Sequence, residues 1–119
     1  MSKKDKARLA DYLKHIVEAI SLIETYVEDV EEQQFLNDKK TQDAVIRNLE
    51  IIGEASNNIN KYHSEFAVKN QHVPWSFAYE MRNVLAHGYF SVDLEIVWNT
   101  IQNQLPKLKQ QIEQLIRQV

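Results

Sequence analysis

The run LADYLKHIVEAISLIETYVEDV, from Leu9 to Val30, decides the fold. Leu9, Leu13, Ile16, Ile20, Ile23, Val27 and Val30 recur at alternating spacings of four and three, which keeps them in one apolar seam along a helix. The seam predicts a first helix from about Lys3 to about Glu32 that packs lengthwise against others. Tyr12, Ala19 and Tyr26 repeat every seven residues beside it and widen the stripe, as core or dimer packing would.

Downstream, Asn37-Asp38 offers a helix start, and Val45, Leu49, Ile52, Ala55, Ile59 and Tyr62 continue a second stripe to about Lys61. Gly53 interrupts it. A helical Gly costs about 1 kcal/mol relative to Ala, which points either to a closely approaching backbone or to a neutral accident. Ser64 to Val73 lacks periodicity and reads as a connector with one short helical turn. Pro74 suits the first turn of a third helix, because its missing N–H is harmless there. From Trp75 to Ala86 no Gly or Pro intervenes, the Phe77/Ala78 pair, Met81 and Leu85 keep helical spacing, and Gly88 ends the run. Ser91 or Asp93 can cap a last helix carrying Leu94, Val97, Ile101, Leu105, Leu108, Ile112, Leu115 and Val119. Pro106 should kink or restart it near Asn103. The sum is an all-α, antiparallel, up-and-down four-helix bundle with room for a short extra helix, in a single domain over residues 1–119.

Composition excludes several function classes. The chain has no cysteine, so disulfides, thiol catalysis and Cys-ligated metals are out, and chemistry must come from His, carboxylates, Tyr or Arg. The net charge of −3 argues against a global electrostatic grip on nucleic acid. Local basic groups remain at Arg47, Lys61, Lys69 and Arg82. The acidic run Glu24, Glu28, Asp29, Glu31 and Glu32 reads as a solvated helix face or a docking surface for a basic partner. Met1 to Lys6 lacks the apolar core of a secretory signal, and no apolar run nears the ~20 residues of a membrane span. A soluble, cytoplasmic protein is expected.

The stretch Met81-Arg82-Asn83-Val84-Leu85-Ala86-His87-Gly88-Tyr89-Phe90 gathers an arginine, an amide, an imidazole and a phenol, the groups needed to handle a phosphodiester. Asn83 lies one helical turn before His87, so its amide could orient the imidazole. Arg82 and His87, five positions apart at roughly 100° each, stand about 140° apart around an ideal helix. They meet on one phosphate only if the helix end unwinds, the arginine reaches around, or a second copy supplies the missing group. A His before Gly in a last turn is also a common capping arrangement, and that structural reading stays open. Glu50 and Glu54 stand one turn apart, as an acid site facing the motif or as a solvated pair with Arg47 held three residues before Glu50. His15, His63, His72 and His87 show no metal-ligand spacing, so neither metal nor cofactor is expected. Phosphate-loop and nucleophile-elbow motifs are missing.

Arg82-Asn83-Val84-Leu85-Ala86-His87-Gly88-Tyr89 resembles the Arg-x4-His-x-Tyr signature of HepT-type toxins in the HEPN superfamily. The resemblance extends over Ala44 to Ala55, Val73-Pro74-Trp75, Tyr89 to Asp93 and Ile96-Val97-Trp98, nearly the whole chain. It implies a helical homodimer whose paired Arg82 and His87 motifs form a composite cleft, and a metal-independent ribonuclease acting on an RNA substrate. It further implies the toxin role of a toxin–antitoxin pair, with a minimal nucleotidyltransferase (MNT-domain) antitoxin that AMPylates Tyr89. Asn83, Tyr89, Glu54 and Arg47 are the supporting or RNA-binding candidates. The alternative is a non-catalytic helical adaptor that binds a nucleotidyltransferase through the same surface, for which a titrating His87 would be unnecessary.

Overall fold

The computed structural model describes residues 2–77, 80–81 and 92–119. All regular elements among them are α-helices: α1 (Lys3–Tyr26), α2 (Glu32–Leu36), α3 (Lys39–Tyr62), α4 (Ser64–Lys69), α5 (Leu94–Asn103) and α6 (Leu105–Gln118). The fold is a helical bundle, as the apolar stripes require. Helix α1 packs along α3 and α6, and the short α2 bridges α3 and α5.

Ser2 caps α1, its hydroxyl accepting from the Asp5 N–H at 3.1 Å. The first part of the seam is core: Leu13, Ile16, Ile20 and Ile23 are fully buried, with Ala19 beside them. The helix ends at Tyr26, six residues before the expected Glu32. Asp29 takes a left-handed backbone with φ 60°, which a short polar side chain tolerates and a helix does not. Val27 and Val30 therefore continue the apolar period through a turn, half-buried against the core. Of the tyrosines beside the seam, Tyr12 is half-buried and Tyr26 exposed.

Helix α2 is an element that the apolar pattern does not announce. Gln34 Oε1 accepts from the Glu31 N–H at 2.8 Å and holds its first turn. Its fully buried Phe35 packs on Trp98 of α5, ring centroids 5.3 Å apart. Helix α3 starts where expected, at the cap Asp38, whose carboxylate accepts from the Thr41 N–H at 3.2 Å and from its hydroxyl at 2.6 Å. Those two hydrogen bonds hold the Asp38 carboxyl below the ordinary carboxylate range. Val45, Leu49, Ile52, Ala55 and Ile59 are buried as the stripe predicts, whereas Tyr62, the last residue of α3, is exposed. Gly53 is buried in the packed face of α3, and Asn48 at that face donates to the Ala44 carbonyl at 2.9 Å.

The last stripe is broken as Pro106 demands. Helix α5 is capped by Asp93, which accepts from the Glu95 and Ile96 N–H groups, and ends at Asn103. Helix α6 restarts at Leu105 with Pro106 in its first turn, where no hydrogen bond is lost. Lys109 Nζ lies 2.7 Å from Glu24 Oε1 and ties α6 to the end of α1. That contact raises the Lys109 pKa above the ordinary lysine value, chiefly through the hydrogen bond to Glu24. No helix among the described residues is long and apolar enough to cross a membrane.

Candidate active site

The segment leading to the motif is pinned before it begins. Trp75 is buried, its Nε1–H donates to the Asn70 carbonyl at 3.1 Å, and its ring packs on Phe66 of α4 at 6.2 Å. Asn70 in turn donates from its amide to the Phe66 carbonyl at 3.0 Å, so the end of α4 and the Pro74-Trp75 corner form one unit. A helical turn follows at once: the Phe77 N–H donates to the Pro74 carbonyl at 2.8 Å, and the Glu80 N–H to the Ser76 carbonyl at 3.0 Å. Phe77 and Met81, four residues apart and both buried, fasten one face of that turn to the core. The residue immediately before Arg82 is thus fixed. Past the motif, Val92 is half-buried and Asp93 caps α5, so the chain is anchored again.

Arg82, Asn83, His87 and Tyr89 lie outside the described residues. Arg47 and Glu54 lie within them, on the side of α3 opposite Val45, Leu49, Ile52 and Ile59. Seven residues on an α-helix span two turns, so the two point the same way about 10 Å apart. Arg47 pairs with Glu50 at 3.6 Å across side chains that are 65% and 46% exposed, which marks a solvated pair. Glu54 is exposed and makes no hydrogen bond or ion pair among the described residues. Neither residue is drawn into the core of its own chain.

Of the remaining histidines, His15 and His72 are exposed, while His63 is buried at the α3–α4 junction with its ring edge-on to Tyr12. Among the described residues no three His, Asp or Glu side chains gather where they could hold a metal. Beside the Pro74-Trp75 corner lies an open depression of about 270 Å³, lined among others by Asn60, Ala67, Val68 and Gln71.

The sequence model of the family described as ribonuclease HepT-like matches residues 16–115. A Thermococcus cleftensis protein named "Probable ribonuclease HepT" is 47% identical over 105 residues, covering 88% of this chain and 93% of that protein. A Methanocaldococcus jannaschii protein named "Gamma-glutamylcyclotransferase and putative RNase" is 44% identical over 108 residues, 91% of this chain but only 47% of that protein, so the chain spans about half of that relative's length. A second protein of the same organism, named "Putative RNase", is 37% identical over 113 residues, covering 95% of this chain and 98% of that protein. No solved structure matches the chain. With one family matched over most of its length, and full-length relatives sharing more than a third of its residues, the chain belongs to the HepT-like ribonuclease family.

Proposed function

We propose that this protein is a metal-independent endoribonuclease that acts as the toxin of a toxin–antitoxin pair. The observation that carries the reading is the Arg82-x4-His87-x-Tyr89 motif in a chain of the HepT-like ribonuclease family. The RNA 2′-OH attacks the adjacent phosphorus, a new P–O2′ bond replaces the P–O5′ bond, and a cyclic phosphate and a 5′-OH are left. His87 takes or returns the proton, and Arg82 stabilises the charge that builds on the phosphorane. Two chains paired as a homodimer bring both motifs into one cleft and divide the acid and base roles, which answers the divergence of about 140° that an ideal helix would give Arg82 and His87. Asn83 orients His87, and Tyr89, with Arg47 and Glu54 from α3, borders the cleft.

The antitoxin in this reading is a nucleotidyltransferase that blocks the cleft by transferring AMP to the Tyr89 phenol. The protein works in the cytoplasm, where both RNA and such a partner are found. The test is growth of cells expressing the chain alone, wild type beside His87→Ala, with total RNA from each run on a denaturing gel. Growth arrest and new fragments only with the wild type, and purified-protein cleavage that persists in EDTA, support the reading. Equal growth and intact RNA in both would replace it with a binding role.

A further inference from the structure

Charge is segregated along α1. Over residues 3–15 the helix carries five cations, Lys3, Lys4, Lys6, Arg8 and Lys14, against the two carboxylates Asp5 and Asp11, whereas Glu24, Glu28, Asp29, Glu31 and Glu32 load its far end and the turn beyond. The ring contact between Tyr12 and His63 lays the basic end beside the C-terminus of α3. Lys4, Arg8 and Tyr12 recur every four residues and so share one face of α1, with Arg8 a single turn, about 6 Å along the axis, before Tyr12. Lys61 and Tyr62, next to His63, bring a further cation and an aromatic ring to the same place. Tyr62 is 62% exposed, and Lys61 Nζ sits 5.2 Å from its ring centroid. Lys4, Arg8 and Lys61 are exposed too, and none makes an ion pair with another described residue.

We propose that this end of the bundle, with Lys4, Arg8, Lys61 and Tyr62, is a contact surface for single-stranded RNA, an inference that rests on the ribonuclease reading. A base stacks on the Tyr62 ring, and the phosphates beside it lie on Arg8 and Lys61. An exposed ring flanked by cations is what strand binding without sequence preference needs, since every base has a face to stack and every linkage a phosphate. The carboxylates nearest in sequence, Asp5, Asp11 and Glu65, leave the cations in excess here, in a chain whose net charge of −3 repels a strand elsewhere. A free phosphate or an acidic peptide would use the cations and leave the ring idle, and a duplex hides the base faces that the ring takes. These residues hold the strand and take no part in the bond change.

The experiment measures binding of the full chain to a short 2′-O-methyl RNA, which has no 2′-OH to attack and so stays whole, by fluorescence anisotropy over a range of KCl concentrations. Tyr62→Ala should weaken binding about fivefold or more, and Tyr62→Phe should leave it unchanged. Arg8→Gln and Lys61→Gln should each flatten the slope of log affinity against log salt by about 0.7, the counterion release of one single-strand phosphate. All three positions are exposed, so the variants should melt with the wild type. Equal affinity of wild type and Tyr62→Ala, unchanged salt slopes in both cation variants, or duplex RNA bound as tightly as the single strand would overturn the surface. A chain that binds the strand through Tyr62 yet leaves unmodified RNA intact sinks the ribonuclease reading alone. A chain that cuts RNA with an unchanged KM in the Tyr62→Ala, Lys61→Gln double variant sinks the surface alone.

Discussion

The rings of Tyr12 and His63 meet edge to face with centroids 6.1 Å apart, which fixes the register between α1 and α3. His63 directly follows α3, whereas Tyr12 lies in the middle of α1, so the first two turns of α1 run past the end of its neighbour. The Tyr12 hydroxyl makes no hydrogen bond among the described residues. Tyr12→Phe should therefore change stability by no more than about 0.5 kcal/mol, and Tyr12→Ala should cost about 1–3 kcal/mol through lost ring contact and area. Urea denaturation of the three proteins checks this; an equal loss in both variants would mean that the hydroxyl, not the ring, matters.

Phe35 is the whole reason for α2. It is fully buried and packed at a tilt on Trp98, and the rest of the five-residue helix offers the core only the half-buried Leu36. Phe35→Ala should cost about 3–5 kcal/mol, the usual penalty for emptying a buried phenylalanine site. A loss under about 1 kcal/mol would show that the pocket collapses without it.

The Lys109–Glu24 pair predicts a pH dependence at the alkaline end. The Lys109 pKa is raised in the folded state by its hydrogen bond to Glu24. Its contribution is therefore fully present below the ordinary lysine pKa of 10.5 and lost as pH rises through the higher folded value. With the glutamate side chain half exposed, a double-mutant cycle of Lys109→Ala and Glu24→Ala should give a coupling of about 0.2–1 kcal/mol near neutral pH. Coupling that persists undiminished in high salt would contradict the ion pair.

The Asp38 cap works in the opposite direction. Its folded pKa is depressed by the hydrogen bonds from Thr41, so the stability it contributes is present above the ordinary carboxylate value of 3.8 and lost as pH falls through the lower folded value. Asp38→Ala should be less stable than wild type at neutral pH, and the two melting curves should converge on acidification. Curves that stay separated below the folded pKa would assign the difference to something other than the carboxylate.

For the motif, His87→Ala should lower RNA cleavage by about 10²-fold or more, the usual worth of a positioned acid–base group. It should shift unfolding by no more than about 1 kcal/mol. Unfolding of the variant would instead make His87 a helix cap. Circular dichroism melts run beside the cleavage assay separate the two.

How much of this was legible in the sequence differs by element. The caps Asp38 and Asp93 and the restart after Asn103 follow from local chemistry, because an Asx oxygen satisfies first-turn N–H groups and Pro106 cannot sit inside a helix. The end of α1 did not, since an apolar period records which side chains face the core and not whether the backbone between them is helical. Val27 and Val30 keep facing the core through a turn. Helix α2 escaped notice because Glu31 is not one of the short polar residues that advertise a helix start, and five residues hold too little period to count. At the site the balance reverses. Arg82, His87 and Tyr89 are read from their spacing and family, whereas the depression at Asn60 and Gln71 joins residues of α3 and the connector whose proximity only folding creates.

The two tryptophans of the chain pack in different places, Trp75 on Phe66 of α4 and Trp98 on Phe35 of α2. The molecule therefore carries two intrinsic emission probes that report on separate regions. Fraying around α2 would redden Trp98 alone, whereas loosening of the Asn70–Phe66 corner would redden Trp75 alone, so one Trp-to-Phe variant of each kind turns ordinary fluorescence into a local readout of either event.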